Sequence, residues 1–249
     1  FPAACLAEEI DTPGDGRVRA LVTVAGNPVL STPNGGRLTQ ALGQLDFMVS
    51  LDIYQNETTR HAHVVLPGLS HLEHSHYDIA LRQLAIRNVA TYSPRTFAPP
   101  EGQQSEWQSL LRLAATAAGQ GTACDIDAFD DMVLAQRVDH ELGTPGSPIQ
   151  GREPAEILAA LGTRRGPDRH LDLMLRTGPY GDGFGARPDG LSLARLEDAP
   201  HGIDLGPLEP RIPEVLRTPS GKIELAPELC CRLFADLAHQ CRLQCFTGF

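Results

Sequence analysis

The sequence predicts an α/β fold with a doubly wound, mainly parallel sheet in its first half, followed by a helical and loop-rich extension. Three apolar runs, Val18–Ala25, Phe47–Ile53 and Val64–Leu66, are rich in β-branched or large apolar residues and too short for stable helices. Between the first two runs, apolar residues recur at helical spacing, at Leu38, Ala41, Leu42 and Leu45. Buried strands that alternate with helical connections predict a parallel sheet covered on both faces.

The first strand ends in the turn Ala25-Gly26-Asn27-Pro28. We expect Gly26 to let the backbone bend and to let a ligand approach closely. The Asn27 amide offers both a donor and an acceptor to a polar ligand, and Pro28 cannot continue the strand. A plain strand-ending turn is the alternative interpretation.

The connecting helix is expected to be capped by Asn34 or a neighbour and to end near Leu45. The second strand then ends at Asp52, where a carboxylate could accept hydrogen bonds from a ribose hydroxyl or a base N–H. A helix cap or a solvated turn is the alternative for Asp52. Ligands of parallel sheets bind at the carboxyl ends of the strands, so Gly26, Asn27 and Asp52 are candidate ligand-binding residues.

A third strand over His63–Leu66 is stopped by Pro67 and belongs to a histidine-rich stretch. His61 and His63 are expected on one side of this strand, and His71 and His74 on one side of a helix. The five histidines of this stretch are His61, His63, His71, His74 and His76. We favour surface or ligand-lining histidines over a metal site, because no cysteine joins them.

Helical patterns dominate the remainder of the chain. Ser105 is expected to cap a helix that begins at Glu106 and ends at about Ala118, with a second helix over Asp127–Leu142 and shorter ones over Glu153–Leu161 and Leu171–Leu175. The predicted buried residues of the first two helices are Leu110, Leu111, Leu113, Ala114, Phe129, Met132, Val133 and Val138.

The other segments carry weaker patterns. We expect an edge strand or extended segment near residues 84–88, a long ordered loop over Gly178–Pro213, and a turn followed by a short strand at Thr218–Leu225. Residues 226–249 form at most a weak amphipathic helix. The predicted regions are therefore an α/β part at 1–120, a helical and loop-rich extension at 121–225, and an atypical cysteine-rich tail at 226–249.

Composition excludes several classes of function. The 249 residues include 21 Lys and Arg against 31 Asp and Glu, a formal charge of −10 that disfavours nucleic-acid binding. No apolar run is long enough for a transmembrane helix, and Phe1–Cys5 lacks the features of a signal peptide. Since the chain does not begin with Met, we interpret it as a fragment, with a cytoplasmic and reducing setting.

Cysteines and common motifs add little chemistry. Four of the six cysteines, Cys230, Cys231, Cys241 and Cys245, lie in the last twenty residues, at a spacing that matches no reliable zinc pattern, so we interpret them as free thiols. The sequence has no GxGxxG after a strand, no Walker motif, no GxSxG and no HExxH. It shows features of a ligand site without an obvious catalytic apparatus.

The motifs GNP, PN, ALGQLDF, VS-x-D-x-Y, ET, VVLPG and LE follow one another in this order, and TPSGKIEL stands later at Thr218–Leu225. Together they resemble the molybdopterin oxidoreductases of the dimethyl sulfoxide reductase superfamily, which include formate dehydrogenases and assimilatory or periplasmic nitrate reductases. The resemblance runs from about Arg17 to Leu225. It implies a Rossmann-like sheet of the formate dehydrogenase domain type within a larger catalytic subunit.

The resemblance also implies a cofactor, bis(molybdopterin guanine dinucleotide) with molybdenum. The asparagine of the family's GNP turn corresponds to Asn27, preceded by Gly26, and two acidic family residues correspond to Asp52 and Glu106. Carboxylates suit the N–H donors of guanine or the hydroxyls of ribose. No residue is assigned as catalytic or as a metal ligand.

Some family features are missing or altered here. His63 and His74 replace residues that are usual in the family, and the cysteine cluster that binds a 4Fe-4S centre has no counterpart. We therefore expect the cluster and the molybdenum ligand in missing N- and C-terminal domains of a parent subunit, which could also have an electron-transfer partner. A stand-alone nucleotide-binding module without redox activity, or a structural scaffold domain, is the alternative.

Overall fold

The computed structural model describes residues 2–235, apart from the side chain of Gln83. The chain divides into two compact units, the first extending to Leu205 and the second beginning at Gly206. The region boundaries near 120 and 225 stay predictions.

The α/β class with a parallel sheet is confirmed. Strands β1 (Ala20–Val24), β2 (Phe47–Leu51) and β3 (Val64–Leu66) are parallel and lie in the order β1-β2-β3. Leu21 pairs with Met48 and Ser50 with Val65, so all three strands end at the same edge of the sheet. Strands β1 and β2 are shorter than the apolar runs that predicted them, whereas β3 has the bounds of its run.

Three helices belong to this sheet, namely α1 (Leu6–Asp11), α2 (Pro28–Ser31) and α3 (Gly35–Leu42). Asn34 is the N-cap residue of α3, but its side chain makes no capping hydrogen bond and its φ is +58°. The helix ends three residues before Leu45, which is nevertheless buried. Pro28 begins a short helix where we expected only a turn, because its fixed φ suits the first helical position. The core between these elements consists of Ala7, Ile10, Leu38, Ala41, Leu42, Leu45 and Met48.

The opposite face of the sheet is apolar and partly open. Val22, Val24 and Phe47 alternate with the residues of the covered face, and they are 51%, 48% and 47% exposed. We expected helices to cover both faces of the sheet. Among the described residues, helices clearly cover the face that includes Met48, whereas the opposite face is partly exposed.

Within the first unit, the remaining helices are α4 (Glu106–Ala117), α5 (Ile126–Gly143), α6 (Pro154–Ala160), α7 (Pro167–Thr177) and α8 (Leu193–Glu197). Strands β4 (Arg87–Ala90) and β5 (Ile203–Pro207) form a separate two-stranded sheet. Short 3-10 turns lie at Ala3–Cys5, Thr59–His61 and Arg82–Leu84. One further core, between α5, α6 and α7, contains Leu134, Val138, Ile149, Ile157, Leu161, Leu173 and Phe184.

Several predictions for the second half were wrong. On α4 the fully buried residue is Ala115, whereas Leu110 is 38% exposed. On α5 every fourth residue from Ile126 to Val138 is buried, and these include the charged Asp130. Met132, which was predicted to be buried, is exposed. The supposed loop over 178–213 contains α8 and β5, and α7 extends beyond its predicted bounds at both ends.

The C-terminal predictions have mixed outcomes. In the described residues 218–225 the backbone forms turns and bends rather than a strand. Residues 228–235 are helical, and Cys230 and Cys231 are exposed free thiols. Cys241 and Cys245 lie outside the described residues. Nowhere in residues 2–235 is a helix both long and apolar enough to cross a membrane.

Candidate nucleotide-binding site

A cleft of about 520 Å³ opens at the carboxyl ends of the three parallel strands. We call it the strand-end cleft. It is lined by Val24 and Ala25 at the end of β1, by residues 51–54 at the end of β2, by Gly68 and Leu69 after β3, and by Glu106 from α4. The wall also includes His71, His74 and His76. Two of the sequence-predicted residues, Asp52 and Glu106, are thus brought together, although they lie far apart in the chain.

Asp52 is held in a fixed orientation at the tip of β2. Its Oδ1 accepts a hydrogen bond from the Tyr54 N–H at 2.9 Å, and its Oδ2 accepts one from Asn56 Nδ2 at 3.1 Å. Its own N–H donates to the carbonyl of Leu66 at 3.2 Å, which ties β2 to β3. Since each carboxylate oxygen has two acceptor sites, the half-buried Asp52 can still accept hydrogen bonds from a ligand.

Glu106 reaches the same cleft from the first turn of α4. Its Oε1 accepts the Leu69 N–H at 3.0 Å, and among the described residues no hydrogen bond goes to Oε2. A Cβ on Gly68 would lie 2.3 Å from Oε1, so the carboxylate fills the space that a side chain at position 68 would need. As predicted, Ser105 is the N-cap residue, and Gln108 Oε1 accepts from both its N–H and its hydroxyl. The start of α4 is therefore well anchored.

Asn27 does not line the strand-end cleft. Its Nδ2 donates to Glu57 at 2.7 Å, and its Oδ1 accepts from the Thr58 hydroxyl at 2.7 Å. Thr58 is fully buried and also accepts the Val29 N–H. The hydrogen bond from Asn27 holds the pKa of Glu57 below its usual value. Asn27 thus joins the turn after β1 to the segment after β2, a role that the sequence alone did not reveal.

The bend after β1 is made by Ala25 rather than by Gly26. Ala25 has a φ of +47°, in the left-handed region that is unfavourable for a residue with a Cβ. A Cβ on Gly26 would meet only the Val24 carbonyl oxygen at an ordinary 3.6 Å. The prediction that Gly26 supplies the bend was wrong, and close ligand approach remains the reason for a glycine there.

The histidines divide into two groups. His63 Nδ1 accepts the Met48 N–H at 3.0 Å, its ring lies 5.5 Å from that of Phe47, and burial lowers the pKa of His61. His71 and His74 lie in a turn, not on the expected helix, with ring centroids 5.9 Å apart. Across residues 2–235, no group of three or more His, Cys, Asp or Glu side chains is placed to hold a metal ion.

A second cleft of about 760 Å³ was not predicted. We call it the tryptophan cleft, since Trp107 lines it together with Arg95, Arg165 and a polar cluster around Asp168. Asp168 Oδ1 accepts from Ser75 Oγ at 2.8 Å and from Tyr92 Oη at 3.1 Å. Burial, with the Asp168 charge nearby, raises the pKa of Tyr92 to about 12. Of its lining residues, the sequence had singled out His74, Ser105, Glu106 and Leu110, but none of them as part of a second cleft.

Comparison with known proteins finds a family match for part of the chain. Residues 1–115, which include the whole parallel sheet, Asp52 and Glu106, match the family model of the molybdopterin oxidoreductases. The chain is also 27% identical over 125 residues to the assimilatory nitrate reductase catalytic subunit of Bacillus subtilis (strain 168). That stretch is 50% of this chain but only 17% of the Bacillus protein. Residues 1–115 thus match the family that the motifs of the sequence resemble.

Proposed function

We propose that residues 1–115 hold the guanosine end of a bis(molybdopterin guanine dinucleotide) cofactor in the strand-end cleft. The observation that carries this proposal is the meeting of two carboxylates, Asp52 and Glu106, outside the carboxyl ends of three parallel strands. This edge of a parallel sheet is where such folds bind their ligands.

The donor pattern of guanine fits these carboxylates. Guanine presents two adjacent donors, N1–H and the N2 amino group, and a carboxylate can accept both in bidentate fashion. Glu106 Oε2 is available for such a contact, and Asp52 keeps acceptor sites for a base or for ribose hydroxyls. Adenine offers no such adjacent pair of donors, so the site should favour guanine.

Asn27 and Gly26 have supporting roles in this proposal. Asn27 lies outside the lining of the cleft, and its bonds to Glu57 and Thr58 would position the turn beside it; its remaining amide hydrogen could reach only a part of the ligand that extends beyond the cleft. Gly26 would let the ligand lie against the backbone, because nothing but the Val24 carbonyl lies within 4 Å of its missing Cβ.

The parent protein would be an oxidoreductase subunit several times longer than this chain, since the matched stretch is 17% of the Bacillus relative. When bound, the cofactor supplies two-electron redox chemistry at molybdenum, with oxidation of formate or reduction of an oxyanion as the proposed reaction. We place the metal ligand, the 4Fe-4S cluster and the contacts to an electron-transfer partner on other domains of that subunit. A cytoplasmic setting would keep the free thiols of Cys5 and Cys124 reduced.

Calorimetric titration of this chain with guanosine and with adenosine tests the proposal. We expect guanosine to bind with a dissociation constant below about 1 mM and adenosine to bind at least tenfold more weakly. Asp52→Asn and Glu106→Gln should each weaken guanosine binding by about 10- to 100-fold, because a hydrogen bond to a charged group contributes about 1.5–3 kcal/mol. Glu106→Gln keeps the side-chain oxygen that can accept the Leu69 N–H, so its fold should be preserved.

Asp46→Asn is the matched control. Asp46 precedes β2 at the amino end of the same strand and pairs with Arg19 at the surface. Its replacement should leave guanosine affinity unchanged. Equal binding of guanosine by the wild type, Asp52→Asn and Glu106→Gln would refute the proposal.

A further inference from the structure

We infer that a separate pocket beside α7 binds a small aromatic carboxylate, whose anionic group is held by Arg82. The pocket has a volume of about 320 Å³, at the lower end of the range of about 300–1,000 Å³ that is usual for small-molecule sites. We call it the Arg82 pocket. Within the described part of the chain, it shares no lining residue with the strand-end cleft or the tryptophan cleft. A ligand bound there is therefore independent of the ligand of the strand-end cleft.

The walls of the Arg82 pocket are largely apolar and come from three elements. Leu171, Met174 and Leu175 lie on one face of α7 at helical spacing, and all three line the pocket. Val89 on β4 and Leu205 on β5 line it as well. Leu175 is also part of a buried core, so the pocket has a firm apolar floor.

Fixed contacts hold these walls in place. Arg87 on β4 and Asp204 on β5 form an ion pair, in which Arg87 Nη2 lies 2.7 Å from Asp204 Oδ2 and Arg87 Nε donates to the same carboxylate. The N–H of the buried Leu191 donates to the Tyr180 carbonyl at 2.7 Å, and both of these residues line the pocket. The pocket is therefore formed by paired strands and anchored backbone rather than by loose surface side chains.

Arg82 is the one charged side chain among the described residues that line the pocket, and it lacks a partner there. Its guanidinium makes no hydrogen bond or ion pair with a described residue, and its Nε is shut off from solvent, whereas its terminal nitrogens are not. Two other arginines have a similar Nε, but Arg112 donates through Nη1 to the Thr122 carbonyl and Arg169 pairs with Asp130. A partly desolvated guanidinium without an acceptor favours an anion that reaches its terminal nitrogens.

No carboxylate competes for Arg82 inside the pocket. The described residues that line it include no Asp or Glu, although the whole chain has a formal charge of −10. Asp78, four residues before Arg82, is occupied in its own turn, since its Oδ1 accepts the Ala80 N–H at 2.9 Å and the Leu81 N–H at 2.7 Å. The pocket is thus a local positive site on an acidic protein, and it favours anionic ligands.

Two tyrosines favour an aromatic body for this anion. Tyr77 and Tyr180 both line the pocket, and neither hydroxyl has a hydrogen-bond partner among the described residues. Their rings offer aromatic contact area and their hydroxyls offer donors to a carboxylate. Burial raises the pKa of Tyr77, so its hydroxyl stays protonated at neutral pH. Ile79, which is 71% exposed, also lines the pocket and would be covered by an apolar ligand.

The probes are 2-naphthoate and 2-naphthamide, which share one ring system and differ in charge. By calorimetry, we expect 2-naphthoate to bind this chain with a dissociation constant below about 1 mM. We expect 2-naphthamide to bind at least about tenfold more weakly, because it cannot accept a charge-assisted hydrogen bond from Arg82. Both compounds are compared on the unmodified chain, so this test does not depend on the folding of a variant.

The three methionines of the chain report where 2-naphthoate binds. Met174 lines the Arg82 pocket, whereas Met48 lies in the core beside the parallel sheet and Met132 is exposed on α5. In an NMR spectrum of isotope-labelled methionine methyl groups, 2-naphthoate should shift the signal of Met174 and leave those of Met48 and Met132 unchanged.

Substitutions assign the binding to the guanidinium. Arg82→Gln should weaken binding of 2-naphthoate by about 10- to 100-fold and leave that of 2-naphthamide unchanged, and Arg82→Lys should retain part of the affinity because it keeps the charge. Arg112→Gln is the matched control, because Arg112 is likewise partly buried with an unpaired Nε but does not line the pocket. It should bind 2-naphthoate as the wild type does.

Several results would overturn the inference. They are equal affinities for 2-naphthoate and 2-naphthamide, equal binding of 2-naphthoate by the wild type and Arg82→Gln, a Met174 signal that does not move, or no binding of 2-naphthoate below about 1 mM. Guanosine binding at the strand-end cleft is measured separately, so the failure of either proposal leaves the other intact.

Discussion

Replacement of Gly68 by alanine probes the contact that places Glu106 in the strand-end cleft. An alanine Cβ would lie 2.3 Å from Oε1, 2.9 Å from Cδ and 3.0 Å from Cγ of Glu106. The φ of Gly68 is outside the left-handed region, so alanine itself causes no backbone strain. The carboxylate must therefore rotate away and give up its 3.0 Å hydrogen bond from the Leu69 N–H.

The expected cost follows from that one hydrogen bond. Losing a bond to a charged acceptor costs about 1.5–3 kcal/mol of unfolding free energy. The lower entropy of the unfolded chain offsets about 0.4–1 kcal/mol when alanine replaces glycine. We therefore expect Gly68→Ala to destabilise the chain by about 1–2 kcal/mol and to weaken guanosine binding as Glu106 leaves the cleft.

A double-mutant cycle measured by urea denaturation tests this reasoning. Glu106→Ala removes all three atoms that the new Cβ would meet, so Gly68→Ala in that background should be neutral or slightly stabilising. Gly26→Ala is the control, because its Cβ would meet only one carbonyl oxygen at 3.6 Å. The same cost for Gly68→Ala with and without the Glu106 side chain would refute the account.

Three further predictions concern the rest of the chain. Asp130→Ala should destabilise it by about 3–5 kcal/mol in urea denaturation, because the buried Arg169 loses a partner; a loss below about 1 kcal/mol would contradict this. Burial lowers the pKa of His170 from its ordinary value of 6.5. As the pH falls below 6.5, the imidazole therefore takes up a proton in the unfolded chain more readily than in the folded chain. Stability should fall as pH drops through that range, and His170→Gln should flatten the dependence; an unchanged pH profile would count against it. Asn27→Ala should raise the pKa of Glu57 towards its usual value in an NMR titration, whereas an unaltered pKa would show that their hydrogen bond is not formed.

The sequence predicted the parallel sheet and a candidate ligand-binding carboxylate, Asp52, at the tip of β2 for a simple physical reason. Short β-branched runs bounded by turn residues favour strands over helices, and the carboxyl ends of parallel strands share one edge of the sheet. The amide of Asn27 and the carboxylate of Asp52 at these ends then indicated a ligand with hydrogen-bonding groups. Glu106 needed the family resemblance as well, because its position in the first turn of a helix is equally explained by the helix dipole.

The parts that escaped prediction depend on contacts between distant segments. Asp130 and Arg169 would each be assigned to the surface as charged residues, and only their mutual ion pair allows them to lie on buried helix faces. For that reason the apolar pattern predicted only the central part of α7, Leu171–Leu175, and not its whole length of Pro167–Thr177. The partners of Asn27 lie about thirty residues away, and no local pattern pairs an amide with Glu57 and Thr58.

The tryptophan cleft escaped prediction for the same reason. Its walls come from segments between Leu69 and Asp168, and the contact of Gly166 with Trp107 is visible only once α4 and α7 are placed. In the sequence, Gly166 followed by Pro167 indicates only the start of a helix.

A crystal structure of this chain soaked with guanosine would show whether the strand-end cleft binds guanine. We expect purine density in the strand-end cleft, with N1 and N2 within hydrogen-bonding distance of a carboxylate of Asp52 or Glu106. Guanosine bound at another place on the chain, with this cleft filled only by solvent, would contradict it.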